Sequence, residues 1–200
     1  MEIADHESAW ASEFDAERHR ISRALGQLAC RIDHNGSTSV PGLAAKPIID
    51  IQVSVERLQP LNSYAAPLAA LGYVHVPHPD DAFCPFFHRP ETWPHTHHVH
   101  VVQAGGDEER RTLAFRDYLR EHPAIAREYG LLKRCLANEY DLETLSGRDG
   151  YANAKGEFIE LQGTGEESTF SEAELAQLLA VGKEGIKALI QAQQTALSSK

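Results

Sequence analysis

Residues 35–53, NGSTSVPGLAAKPIIDIQV, set a glycine-serine turn rich in hydroxyls ahead of an apolar segment carrying a single carboxylate, Asp50. Small residues let backbone N–H groups approach phosphate oxygens, a serine hydroxyl adds a donor, and a carboxylate on a strand can hold the Mg²⁺ that bridges those phosphates. Gly36, Ser37, Thr38 and Ser39 are therefore the candidate phosphate cradle, Asp50 the candidate metal ligand and catalytic carboxylate, and Lys46 a candidate point charge. Spacing alone also fits a plain tight turn followed by a hydrogen-bonded strand residue.

The second concentration of chemistry is histidine. The chain has eleven, and His88, His95, His97, His98 and His100 fall within thirteen positions. On a strand from His97 to Val102, alternation puts His98 and His100 on one face, where a His-x-His pair can bind one metal or position a phosphate. Joined to Asp50 they form a one-acid, two-histidine set suited to Zn²⁺, Mn²⁺ or Fe²⁺ rather than Mg²⁺. His100 is then the candidate catalytic partner of Asp50, whereas the others also fit a polar strand face in a groove.

The elements that must position these groups read as alternating helix and strand. Trp10, Phe14, Ile21, Leu25 and Leu28 recur at helical spacing over residues 7–28 and predict an amphipathic helix ending near Gly26 that covers one face of a sheet. A short apolar piece, Cys30–Ile32, precedes the Gly-Ser turn. KPIIDIQVSV then has β-branched apolar positions, with Asp50, Gln52 and Ser54 on one polar face turned toward chemistry or solvent. A helix over 60–71 stops at Gly72, a strand begins at Tyr73, and Phe83–Phe87 with His97–Val102 predict an antiparallel hairpin joined by RPETWPHT. Two helices broken at Pro123 follow, then one including Tyr151–Leu161, and a Gly-Thr-Gly-Glu-Glu-Ser-Thr linker leads to a last helix over about 171–197 suited to self-association or to serving as a lid.

At 200 residues with 42% hydrophobic and 24% charged residues, the composition is that of a globular protein with room for one sizeable core. No stretch reaches the roughly 18 apolar residues of a membrane span and the acidic start has no apolar signal region, so a cytoplasmic protein is expected. A net charge of −10 disfavours broad nucleic-acid binding, which needs a basic face. Cys30, Cys84 and Cys135 lack metal spacing and are expected to be buried thiols.

The segment HNGSTSVPGLAAKPIIDI closely resembles the hallmark of the GrpB family, assigned to the nucleotidyltransferase superfamily, and HHVHVV, FRDYLREHP, EYGLLKRCLA and YANAKGEFI also look like that family. The resemblance covers roughly residues 5–160 and implies an α/β (α+β) nucleotidyltransferase-like mixed sheet flanked by helices, so a domain over residues 1–162 is expected; the linker and C-terminal helical extension over 163–200 lie outside the resemblance and are read from the residues alone. It implies Gly36 and Ser37 at a phosphate-binding turn, Asp50 as first metal acid, His34 orienting the loop through a backbone hydrogen bond, and Arg116 and Lys155 as ligand-binding cations. The sequence departs where active superfamily members place a second carboxylate, because this position is Gln52, and an amide offers an oxygen but no charge to offset a second metal.

Three readings stay open. One is a divalent-metal-dependent nucleotidyl transfer to a small molecule or protein, which needs a further carboxylate such as Glu157 or Glu91 near Asp50. Another is a nucleotide- or phosphometabolite-binding module without transfer, with a coenzyme A-related ligand plausible by analogy to relatives joined to dephospho-coenzyme A kinase. The third is a hydrolase whose metal is held by Asp50, His98 and His100.

Overall fold

The computed structural model describes residues 2–163, with side chains described through residue 156. The chain divides into units 1–160 and 161–200. The predicted linker and last helix lie outside the described residues.

Among the described residues, five α-helices and five strands follow in the order α1 (Ala9–Leu25), β1 (Ala29–Asn35), β2 (Ile49–Val55), α2 (Asn62–Ala70), β3 (Val74–Val76), β4 (Phe86–Arg89), β5 (His97–Gln103), α3 (Asp107–Glu121), α4 (Pro123–Glu139) and α5 (Leu145–Gly163). The sheet order is β1-β2-β5-β4-β3. Only β2 and β5 run parallel; the other neighbours are antiparallel, giving the mixed α/β sheet expected.

The core lies on one face of this sheet. Trp10, Phe14, Ile21 and Leu25 of α1 and Tyr64 and Leu68 of α2 pack on Ile49, Ile51, Val53, Val55, Phe87, Val99 and Val101. The odd-numbered positions of β2 and β5 thus face α1 and α2, leaving Asp50, Gln52, His98 and His100 on the opposite face by alternation. A partly buried ion pair fastens α1 to β4: Arg89 donates from two nitrogens to Glu17 at 3.0 and 3.1 Å, and Tyr73 Oη–H and Arg20 donate to the same carboxylate.

Three expectations are corrected. The polar face of β2 does not open to solvent along its length, because α3 covers it: Gln52 and Ser54 are fully buried, Thr112 Oγ1 donates to Gln52 Oε1 at 2.5 Å, and Ser54 donates to Glu109. The strand expected over Phe83–Phe87 begins only at Phe86, since Pro79–Ala82 form a 3-10 turn closed by reciprocal His78 and Asp81 bonds and Pro85 has no N–H to pair. Cys30 and Cys135 are exposed and Cys84 half-buried, so the thiols are not core groups. Pro123 does separate α3 from α4, entering α4 in its first turn where the missing N–H costs nothing.

Candidate functional site

Gly36 ends β1 with φ +64° and ψ −172°, a conformation essentially confined to glycine. A Cβ built there would stand 2.2 Å from Asp50 Oδ2 and 2.8 Å from its Cβ and Cγ, so the turn presses its backbone directly against the carboxylate. Asn35 pairs with Asp50 across β1 and β2, and the Gly36 kink redirects the chain over it.

The hydroxyls after Gly36 divide their tasks. Ser37, Thr38 and Ser39 form one 3-10 turn. Thr38 is buried and its Oγ1 donates to the Ile48 carbonyl at 3.2 Å, while Ser39 Oγ donates to the Gly36 carbonyl at 2.6 Å. Both side chains hold the loop, and Ser37 is the one that lines the cavity. His34 orients this loop through the Thr38 hydroxyl, at 3.0 Å, rather than through a backbone group. Burial pushes the His34 pKa down to about 4, so the ring is neutral; with the Thr38 proton committed to Ile48, His34 donates from Nε2. Phe14 stacks on its ring at 4.6 Å. Arg120 adds a brace, donating from Nε and an Nη to the Ser39 carbonyl.

The cavity beside this loop measures about 210 Å³. Asn35, Gly36, Ser37, Val40 and Asp50 form its floor; Arg111, Thr112, Phe115, Arg116 and Leu119 of α3, Tyr129 of α4 and Lys155 of α5 close it. That volume is below the roughly 300 Å³ at which pockets for drug-sized ligands begin, so it suits a small group or one end of a larger ligand.

The cations around it are unequally available. Arg116 is 8% exposed and each guanidinium nitrogen is engaged: Nε and Nη2 with Asp117, and Nη1 with Asp33 and the His34 carbonyl. It walls the cavity with its stem while bracing β1. Lys155 lines the cavity and lies 4.8 Å from the centre of the Tyr151 ring, where burial holds its pKa below the usual lysine range against the pull of Asp50. Lys46 is not part of the lining; its Nζ sits 4.2 Å from the centre of the Tyr151 ring and 5.9 Å from that of Trp93, and its pKa is lowered to about 8 by burial and then by Lys155 and Arg148.

Lys133 was not singled out by sequence. It is 2% exposed on α4, donates to the Ala44 carbonyl and lies 4.8 Å over Tyr129, with burial lowering its pKa to about 6. Its signal in the sequence is a lysine four residues after Tyr129 and three before Leu136, on the apolar stripe of a helix.

Parallel pairing of β2 with β5 sets Asp50 opposite His98 and Gln52 opposite His100. Asp50, His98 and His100 offer ligand atoms within 4.8 Å of one another, and no other carboxylate joins them among the described residues. Glu91 is exposed in the β4–β5 connection, and the side chain of Glu157 lies outside the described residues. Nδ1 of His98 is 3.2 Å from Asp50 Oδ1. Two adjacent ligands of a tetrahedral metal with bonds of 2.0–2.1 Å stand about 3.3 Å apart, so this pair has the spacing that a single ion requires. Burial pushes the Asp50 carboxyl up, but the His98 hydrogen bond and the electrostatic interactions with His98, His100 and Lys155 outweigh it and hold its pKa below the ordinary value. His100 is held below its ordinary pKa chiefly by burial, leaving a neutral imidazole with a lone pair to offer. Its Nδ1 is 3.8 Å from Cys84 Sγ, and burial raises the Cys84 thiol to about 12.

His88 and His95 stand beside this cluster, while His97 points to the other face and contacts Arg89 at 3.2 Å. Gln52, at the place of the absent second acid, accepts from Asn35 at 3.1 Å and from Thr112, so its oxygen is already committed.

The sequence pattern described as GrpB protein matches residues 1–162. The chain is 33% identical over 163 residues to the glutamate-rich protein GrpB of Alkalihalophilus pseudofirmus, covering 79% of this chain and 91% of that one. It is 38% identical over 140 residues to the UPF0157 protein YqkA of Bacillus subtilis, covering 70% of this chain but only 40% of the relative's length. A crystal structure of the conserved protein GrpB from Enterococcus faecalis is similar with a TM-score of 0.66 and 32% identity, covering 79% of this chain and 97% of that one.

Proposed function

The chain belongs to the GrpB family, and from that premise we propose that it binds a nucleotide or another phosphate-bearing metabolite by its phosphate end, beside a single divalent metal. The observation that carries this reading is the contact of Gly36 with Asp50: the turn that would receive phosphate oxygens and the carboxylate that would hold metal are one packed unit. Ser37 and the Gly36–Ser37 backbone line the cavity from the floor, and Lys155 supplies positive charge from α5. Thr112 and Arg111 of α3 close the other side.

Asp50, His98 and His100 would hold the ion, and one acid with two imidazoles favours Zn²⁺, Mn²⁺ or Fe²⁺ over Mg²⁺. When bound, such an ion polarises a phosphoryl oxygen. Two-metal nucleotidyl transfer is disfavoured by Gln52, whose neutral amide is buried and engaged by Asn35 and Thr112. The reading is therefore binding without two-metal transfer. A hydrolase is the second reading, and the mixed carboxylate-imidazole donor set is what favours it.

The test is a thermal-shift titration of the 200-residue chain with ATP, coenzyme A precursors and inorganic pyrophosphate, each with Zn²⁺, Mn²⁺ or Mg²⁺. At a ligand concentration of 100 Kd, stabilisation is about 2.7 kcal/mol. The expected result is a shift that Ser37→Ala and Asp50→Asn both remove, without product in the same samples. Release of a hydrolysis product favours the hydrolase, and no shift with any phosphate compound overturns the proposal.

A further inference from the structure

His98 has its two ring nitrogens engaged by different groups. Nδ1 faces Asp50 Oδ1 at 3.2 Å, and Nε2 lies 3.0 Å from Nδ1 of His95. His95 is itself clamped: its ring stacks on His88 with centroids 3.8 Å apart and planes at 7°, and Trp93 meets it edge-on at 5.1 Å. His88 in turn is fixed by its Nδ1, which donates to the Pro90 carbonyl at 2.9 Å. The result is a chain of contacts running from the loop between β4 and β5 through His95 and His98 to Asp50.

A contact between two imidazole nitrogens is a hydrogen bond only if one carries the proton and the other the lone pair. The partner on one side of His98 therefore dictates which nitrogen is available on the other. Without metal, the Asp50 carboxylate can only accept, so His98 carries its proton on Nδ1, and its Nε2 lone pair accepts from His95 Nδ1–H. With a metal ion at Asp50, His98 must offer the Nδ1 lone pair, its proton moves to Nε2, and it donates to the lone pair on His95 Nδ1. His95 then carries its own proton on Nε2. Each ring holds one proton before and after, so the exchange balances.

We propose that His95 is a positioning residue that sets the tautomer of His98, forming a two-imidazole relay that switches both rings together when Asp50 and His98 take up a metal. This rests on the single-metal reading above. Outer partners of metal-bound histidines commonly affect affinity by 10–100-fold. His95 serves as that partner although it lies on a connecting loop and not on the metal-binding strand. Trp93 and His88 keep it there, so the loop RPETWPHT contributes to the affinity of a site whose ligands all lie on β2 and β5.

The experiment uses the 200-residue chain with ¹⁵N-labelled histidine, and reads ring-nitrogen tautomers by NMR with and without Zn²⁺, alongside Zn²⁺ affinity by competition with a chromophoric chelator. Wild type is expected to show His98 protonated on Nδ1 without Zn²⁺ and on Nε2 with it, and the same change at His95. His95→Phe is expected to lose 10–100-fold in Zn²⁺ affinity, and His95→Gln, whose amide can both donate and accept, to recover most of it. Equal melting temperatures of the two variants separate this from a folding defect. Zn²⁺ affinity of His95→Phe within twofold of wild type, or a His98 tautomer that does not change on binding, overturns the relay while leaving the metal site standing. Failure of wild type to bind Zn²⁺ overturns the metal reading and the relay with it.

Discussion

Gly36→Ala tests the join between the turn and the carboxylate. The added methyl would meet Asp50 Oδ2 at 2.2 Å and Asp50 Cβ and Cγ at 2.8 Å, separations that carbon and oxygen do not tolerate, at a residue whose φ of +64° already disfavours any side chain. Backbone strain there costs about 1–3 kcal/mol, and forcing extra volume into a packed site a further 1–3 kcal/mol or so. Gly26 gives the control, because it also has positive φ, +55°, but no atom within 4 Å of a built Cβ. Gly26→Ala should therefore lose only the strain, about 1–3 kcal/mol. Urea unfolding of both single variants, and of Gly36→Ala combined with Asp50→Gly, separates the two contributions. The double variant removes every atom that the methyl strikes, so a coupling of about 1–3 kcal/mol is expected. If Gly36→Ala is no more destabilising than Gly26→Ala, or if Asp50→Gly brings no relief, the turn does not rest on Asp50 and the site loses its organising contact.

The buried lysine predicts a pH dependence. The Lys133 pKa of about 6 in the folded protein lies below its unfolded value, so between those pH values the unfolded chain holds a proton that the native state lacks, and stability rises with pH. Lys133→Met should remove that contribution: its advantage over wild type is greatest below about pH 6 and shrinks by about 1.4 kcal/mol per pH unit above it, read from urea midpoints at several pH values, whereas parallel curves would refute it. Gln52→Glu keeps the acceptor for Asn35 and Thr112 but adds a buried negative charge beside Asp50; it should melt earlier without metal and gain more from Mn²⁺ than wild type does, and equal gains would show that Gln52 does not border the proposed metal position. Glu17→Ala leaves Arg89 without its carboxylate between α1 and β4; the expected loss is about 3–5 kcal/mol by chemical denaturation, and a loss under 1 kcal/mol would mean that solvent replaces the pair.

The parts of the fold legible in the sequence are those fixed by local rules. The helical spacing of Trp10, Phe14, Ile21 and Leu25 needs only its own turn to be read, and those four residues do form the buried stripe of α1. The β-branched run of β2 and the break at Pro123 are equally local. What sequence missed is set by partners far along the chain. Nothing near Gln52 and Ser54 shows that their strand face is roofed, because the groups that cover them, Thr112 and Glu109, are 60 and 55 residues away. A polar alternation on a strand reads the same whether water or a helix faces it. Strand composition likewise places Phe83 and Cys84 in β4, and only the capped turn over Pro79–Ala82 and the imino group of Pro85 defer its start to Phe86.

The candidate site follows the same division. His98 and His100 share a face by alternation, and a parallel neighbour brings them level with Asp50 and Gln52, so one rule of strand geometry and one pairing assemble the cluster. The cradle was less legible. Composition gives three consecutive hydroxyls after Gly36 equal standing, yet a 3-10 turn with its residues in close succession cannot aim all of them at one ligand. Thr38 and Ser39 satisfy the Ile48 and Gly36 carbonyls instead, and those bonds, with Arg120 on the Ser39 carbonyl, hold the loop in the shape that leaves Ser37 at the cavity. A preformed cradle spends hydroxyls on its own backbone, since an acceptor left bare in the bend would cost more than an extra donor to the ligand would contribute. The single serine that lines the cavity is therefore a consequence of rigidity, and the proposed binding of phosphate should depend on Thr38 and Ser39 through the position of Ser37.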